Sequence, residues 1–269
     1  MKKKEKRMND IMDLIREQPS ISVKALAQVL DVSEMTIRRD LEYLKNSSVI
    51  TQSLGMTFVN SQSGISSPAV SSPSLLSYNF GKALLQNVEV KKRIARKASD
   101  LLYPRETIIL DSSTTVSMMV PFIPPDMELT VLCSSYHILS QLPKDQAINI
   151  IFAGGVYDRK LQMFESPEGL EMIKSHRANK YFFSTSGIHE RLGMTCSHSV
   201  EVMTKRACLS SSAEKILLAD SGKFGVITTS YFAKLTDCDT IITDDGISDD
   251  WVHTIEASGI QLYIVSKKN

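Results

Sequence analysis

The chain has 269 residues, 42% of them apolar, which is ample for two cored domains and too long for one small one. Its formal net charge is +1, so no global field draws it to nucleic acid or to acidic lipid, and any such binding must come from local asymmetry. The four cysteines, Cys133, Cys196, Cys208 and Cys238, form no CxxC pair, and no histidine lies at finger spacing from them; reduced, packed thiols are expected, with no metal and no cofactor.

The charged stretch "MKKKEKRMND" is not followed by an apolar core of the kind a signal peptide carries, and no run of about 18 apolar residues offers a membrane span. A cytoplasmic protein without membrane attachment is the expectation.

Residues 6–18 place Met8, Ile11, Met12 and Ile15 on one helical face, and Pro19 ends that helix. Ser22 is placed to cap a second helix, "VKALAQVL", whose apolar face is Val23, Leu26, Ala27 and Leu30. Asp31 and Val32 read as a tight turn, and Ser33 as the cap of a third helix with Ile37, Leu41 and Leu44 facing inward. Two short extended runs around Gly55 read as a β-hairpin. Three helices and a hairpin in residues 1–60 make a winged helix-turn-helix.

The third helix turns Ser33, Glu34, Met35, Thr36, Arg38 and Arg39 outward along its first turns. That is the profile of a recognition helix entering a major groove, where arginine forks onto guanine or clamps phosphate and hydroxyls bond phosphates or bases. The plain alternative is a solvated helix face; the paired second helix, the short turn and the hairpin favour DNA. Residues 1–60 hold ten Lys and Arg against eight Asp and Glu, so the contacts must be concentrated. Lys2, Lys3, Lys4, Lys6 and Arg7 are possible additional phosphate contacts, or a solvated tail. Two-fold operators match two-fold proteins, so an even-numbered homo-oligomer is expected.

Residues 61–87 read as a linker: ten of the fourteen residues 61–74 are Ser, Pro or Gly. Over 88–269, apolar strands alternate with helices. Strands are expected at 106–111, 128–133, 148–155, 180–185, 215–220, 240–244 and 262–265, and helices from 88, from Ser113, from Ser135, and at 166–176, 199–212 and 248–258. This alternation argues a mostly parallel sheet covered on both faces, an α/β domain that binds ligands beyond its strands' carboxyl ends.

Three such strand ends carry the residue types for an anion. Asp111, Ser112, Ser113, Thr114 and Thr115 stand at one, Ser134 and Ser135 at a second, and Gly154 and Gly155 at a third. Lys223, in "SGKFG", is a cation suited to phosphate, and Asp111 an acceptor for sugar hydroxyls. Singly, each has an ordinary reading as a helix cap, a turn or a solvated lysine; together they point to a ligand cleft. Asp111, Glu201 and Lys223 would also supply the types needed for proton transfer, although a Glu201–Lys205 pair at four-residue spacing accounts for both charges on a helix surface.

"ISVKALAQVLDVSEMTIRRDLEYLKNSSVI" resembles the DNA-binding domain of the DeoR family of bacterial repressors. "ILDSSTTV", "IIFAGG", "GIHERLGMTC" and "LLADSGKFG" are similar to that family's sensor motifs. The resemblance implies a transcriptional repressor, not an enzyme, with an isomerase-like sensor domain that binds a phosphorylated sugar and lets go of operator DNA. "FFSTSGIHERLGMTC" and "MFESPEGLEMI" look most like the branch controlling deoxyribonucleoside operons, which implies deoxyribose 5-phosphate as effector. The chain departs from the family pattern at Ser113, which replaces a turn glycine, at Cys133–Ser135, at Ser166-Pro167 and in the wing, which reads "SLG". A sugar-phosphate isomerase carrying a DNA-binding domain, and a sensor that has lost its ligand, are the competing readings.

Overall fold

A computed structural model describes residues 7–8, 10–12, 14–15, 21–46, 50–53, 56–59, 80–143 and 147–266, in two compact units, Met1–Ser72 and Pro73–Asn269.

In the first unit, helical turns within 7–15 bury Met8, Ile11 and Ile15 against Leu26, Ala27, Ile37 and Leu41. Helix Val23–Val29 begins at Ser22, whose hydroxyl accepts from the Ala25 amide at 3.1 Å. It ends because Asp31 takes a left-handed φ of 50°, which aspartate tolerates better than most residues. The third helix is Glu34–Asn46; Ile37 and Leu41 face inward as expected, while the side chain of Leu44 lies outside the described set. Ile50–Ser53 pairs antiparallel with Met56–Val59, forming the expected wing; Gly55 at its tip lies outside the described residues.

The second unit is built on a parallel sheet of seven strands: β1 (Thr107–Leu110), β2 (Leu129–Cys133), β3 (Ile148–Phe152), β4 (Ala178–Phe183), β5 (Ser212–Leu218), β6 (Thr240–Asp244) and β7 (Gln261–Val265). Their order across the sheet is β3-β2-β1-β4-β5-β6-β7. The chain steps outward from β1 to β3, then returns to lay β4 against the other side of β1. That reversal opens a crevice beyond the carboxyl ends of β1 and β4, the usual ligand position in such sheets.

Both faces of the sheet are covered. Ile109, Tyr181, Phe183, Leu217 and Ile241 pack one way, against Ile173, Ala207, Cys208 and Ile255 from helices Pro167–Ser175, Val200–Ser211 and Asp249–Ala257. Ile108, Leu110, Phe182, Ile216 and Ile242 pack the other way, against Ile94, Ala95 and Ala98 of helix Val88–Ser99. Alternate residues of a strand point to opposite faces, so one continuous apolar run feeds two cores. Each fully buried large side chain contributes about 1.5–3 kcal/mol. All four cysteines are buried and unpaired, and burial pushes the thiols of Cys133 and Cys196 up to about 12.

Three features depart from the sequence reading. Phe80–Leu84, expected as linker, is a short helix with Phe80 buried. Val156–Asp158 and Met163–Glu165 form a hairpin. Gly187–His189, Gly193–Cys196 and Ser230–Ala233 form a small antiparallel sheet. Among the described residues no helix is long and apolar enough to cross a membrane.

Candidate functional site

At the start of the third helix, the Ser33 hydroxyl accepts from the Thr36 amide at 3.2 Å and lies 2.9 Å from the Thr36 hydroxyl, which orders the first turn. Glu34, Met35, Arg38 and Arg39 are exposed, Met35 at 68%. Arg38 Nη2 stands 3.8 Å from Glu34 Oε2, an open pair that leaves the guanidinium available. The neighbouring Asp40 is buried and accepts from Arg7 Nε at 2.6 Å, a bond that holds the guanidinium above its ordinary pKa. Arg7, considered above as a phosphate contact, therefore ties the first helix to the third. Lys2, Lys3, Lys4 and Lys6 lie outside the described residues.

In the second unit a cleft of about 140 Å³ opens at the switch point between β1 and β4. Ser112, Ser113, Thr114, Thr115 and Lys223 line it, as expected from the sequence. So do Lys91, Lys205, Glu201 and Asp220, four charged residues that the sequence reading did not place in a cleft, and Ala83, Gln86 and Asn87, which it gave to the linker.

Ser113, where the resemblance implies a turn glycine, takes φ −84° and ψ 154°, and its hydroxyl accepts from the Val116 amide at 3.1 Å. The turn needs no left-handed residue, so serine replaces glycine without strain and caps the turn. Ser166 acts likewise before Pro167: its hydroxyl accepts from the Gly169 amide at 2.9 Å and donates to the Gly154 carbonyl at 3.2 Å.

Lys91 Nζ donates to the Ala83 carbonyl at 2.6 Å and to Thr114 Oγ1 at 3.0 Å. Its surroundings lower its pKa to about 8: burial is the main cause, Asp220 opposes it and Lys223 adds repulsion. Lys223 makes no ion pair within 4.0 Å among the described residues. Asn87, at a left-handed φ of 53°, donates from Nδ2 to Asp220 Oδ1 at 3.3 Å.

At the cleft floor Lys205 Nζ donates to Asp111 Oδ2 at 2.6 Å and to the Ser184 carbonyl at 3.0 Å. Burial acts to lower this ammonium, but Asp111 and Glu201 outweigh it and hold it above its ordinary value. Glu201 Oε2 is 4.0 Å from Lys205 Nζ. Burial pushes the Glu201 carboxyl up to about 7, against the pull of Lys205 and with a further push from Asp111. The Glu201–Lys205 pair is therefore no surface pair: both groups turn inward, because the helix that carries them covers the sheet. Asp111, expected as an acceptor for sugar hydroxyls, has its Oδ2 taken by Lys205 and by the Ser184 amide at 3.2 Å, and it does not line the cleft.

Ser134, Ser135, Gly154 and Gly155 do not line it either. The hairpin missed from the sequence covers their strand ends. The Phe164 amide donates to the Ser134 carbonyl at 2.8 Å, and Ser135 caps helix Tyr136–Gln141 while bridging to Met163. Gly155 has φ 142°, and a Cβ there would strike the Glu165 carbonyl, so its glycine serves hairpin packing.

The signal that would have found Lys91 and Lys205 lies on their helices. Lys91 falls on the same stripe as Ile94, Ala95 and Ala98, and Lys205 on that of Glu201 and Cys208. A lysine inside an apolar stripe needs a partner or a ligand.

Two family models match the chain: the DeoR-like helix-turn-helix domain over residues 7–63 and the DeoR C terminal sensor domain over residues 86–245. The transcriptional regulator YulB of Bacillus subtilis, itself described as uncharacterized, is 30% identical over 261 residues, covering 96% of each chain. The L-fucose operon activator of Haemophilus influenzae is 30% identical over 239 residues, covering 89% of this chain and 91% of its own. Among solved structures, ribose 5-phosphate isomerase A from Methanocaldococcus jannaschii aligns over 52% of this chain and 55% of its own, at 11% identity and a TM-score of 0.39. With both domains matched in order and relatives similar from end to end, the chain belongs to the DeoR family of helix-turn-helix transcriptional regulators.

Proposed function

We propose that this protein is a repressor of a carbohydrate or deoxyribonucleoside catabolic operon, released from its operator by a phosphorylated sugar held in the cleft. One observation carries the reading: two lysines, Lys91 and Lys223, meet the hydroxyls of Ser112–Thr115 at the switch point of the sheet. The lysines repel each other, and a dianion between them relieves that repulsion. Ser184, Thr185 and Ser186 also line the cleft, residue types suited to a polyol. The favoured effector is deoxyribose 5-phosphate, on the likeness of residues 163–173 and 182–196 to the deoxyribonucleoside branch. The relative named as the lactose phosphotransferase system repressor of Staphylococcus epidermidis supports a sugar-linked role.

Arg38 and Arg39 read the operator in this account, with Ser33, Glu34, Met35 and Thr36 around them, and an even-numbered homo-oligomer presents two such helices to a two-fold site. Linkage requires that the sugar prefer the DNA-free state and that DNA weaken sugar binding by the same factor. The relative named as an activator favours one second reading, in which the bound effector promotes transcription. Operator titrations with and without deoxyribose 5-phosphate separate the two, since the repressor loses affinity and the activator gains it. Incubating the protein with ribose 5-phosphate, which carries the C2 hydroxyl that aldose–ketose isomerisation requires, and assaying for the ketose product tests the enzymatic alternative.

A further inference from the structure

The segment that leads out of the linker forms one wall of the cleft, and three bonds hold it. The Phe80 amide donates to the Lys160 carbonyl at 3.0 Å, beside an edge-on packing of the Phe80 and His137 rings at 5.0 Å. The Ala83 carbonyl, near the end of helix Phe80–Leu84, accepts from Lys91 Nζ at 2.6 Å. Asn87 donates to Asp220 at 3.3 Å. Two of the three bonds are thus made to charged groups of the cleft.

Lys91 is buried, yet among the described residues no carboxylate lies within ion-pair distance of it; its bonds are to a carbonyl and a hydroxyl. A neutral carbonyl is a weaker partner for an ammonium than an anion is. A phosphate placed among Ser112–Thr115 and Lys223 competes directly for that ammonium. It also repels the Asp220 carboxylate on which Asn87 rests.

We propose that Lys91 is the residue that reports an anionic ligand to the rest of the chain, exchanging the Ala83 carbonyl for the anion and so releasing residues 83–87 from the cleft wall. The inference rests on the anion reading of the cleft and adds to it a contact and a consequence. Helix Phe80–Leu84 has five residues, too short to hold its carboxyl end once the Ala83 anchor is lost, while Phe80 keeps its bond to Lys160. In sequence it lies between the first unit and helix Val88–Ser99.

The test is hydrogen exchange on the full chain, with inorganic phosphate and then deoxyribose 5-phosphate as probes. The reporting amides are Leu85 and Gln86, which donate to the Lys82 and Ala83 carbonyls at 3.2 Å. In the wild type either probe is expected to speed their exchange while leaving strand β1 protected. In Lys91→Gln the exchange should already be fast without a probe and should not change with one, and the probe should bind at least about tenfold more weakly, the loss of one charge-assisted hydrogen bond. Lys223→Ala keeps Lys91 in place, so it should bind phosphate more weakly with slow exchange in the free state; it serves if Lys91→Gln does not fold. Binding of the probe by the wild type with no change at Leu85 and Gln86 would overturn the latch and leave the anion site standing. Absence of any binding heat or thermal shift with either probe would remove the anion site and the latch together.

Discussion

Lys205 Nζ lies 2.6 Å from Asp111 Oδ2, with side chains only 4% and 5% exposed, so the lysine that lines the cleft is held by a buried carboxylate behind it. Breaking a buried pair by removing one partner strands the other charge, which costs about 3–5 kcal/mol. Lys205→Met should therefore lower the chemical denaturation midpoint of the sensor unit markedly, and Asp111→Asn should do so as well. A change below about 1 kcal/mol in both variants would mean that water reaches the pair freely.

Glu201 gives the stability a pH dependence of definite sign. Its carboxyl titrates near 7 in the fold, above its ordinary value of 4.5. The folded state thus holds a proton that the unfolded chain releases, so this contribution is full below about 4.5 and is lost as pH rises to about 7. Lys205, Asp111, Asp158 and the His198 backbone are the groups acting on it. Glu201→Gln should flatten the stability profile between those limits and raise stability above pH 7, on the order of 1–3 kcal/mol. Urea melts at a series of pH values read this directly, and an unchanged profile would show that Glu201 is ionised throughout.

Arg38→Ala and Arg39→Ala should leave the fold intact, since both side chains are exposed. Loss of a bidentate base contact costs about 1–3 kcal/mol and relaxes specificity, whereas loss of a phosphate contact flattens the salt dependence. Gel-shift titrations at two salt concentrations distinguish these. Wild-type affinity in both variants would move the DNA contact off this helix.

Asp40→Ala should destabilise the first unit by about 1.5–3 kcal/mol, the value of a hydrogen bond to a charged group. Asp40 is buried and holds Arg7, so operator affinity should fall through loss of structure and recover at lower temperature. A loss of affinity with an unchanged melting temperature would place Asp40 at the DNA instead.

Much of this was legible in the residues. The strands appeared as apolar runs because a sheet covered on both faces buries most positions of its inner strands, Thr107–Leu110, Ala178–Phe183 and Thr240–Asp244 among them. The helix-turn-helix appeared because its caps, Ser22 and Ser33, and its turn at Asp31 are local signals. The turn at Ser112–Thr115 and Lys223 were found for the same reason. What escaped depended on distance in sequence. The hairpin that covers Ser134, Ser135, Gly154 and Gly155 is made of strands of three residues each, too short to show a period. Glu201 and Lys205 satisfied a local pairing rule, and only the approach of Asp111, ninety-four positions away from Lys205, turned them inward. Helix Phe80–Leu84 was hidden by the Ser- and Pro-rich run before it.

The central claim is that a sugar phosphate in the cleft controls the grip on DNA, and release of labelled operator from the full chain tests it most directly. Deoxyribose 5-phosphate should release the wild type, with coupling of about 1–3 kcal/mol. Lys223→Ala should bind the same operator equally well and stay bound when the sugar is added. Operator affinity indifferent to deoxyribose 5-phosphate and to other pentose and hexose phosphates, or release as complete in Lys223→Ala as in the wild type, would contradict the account.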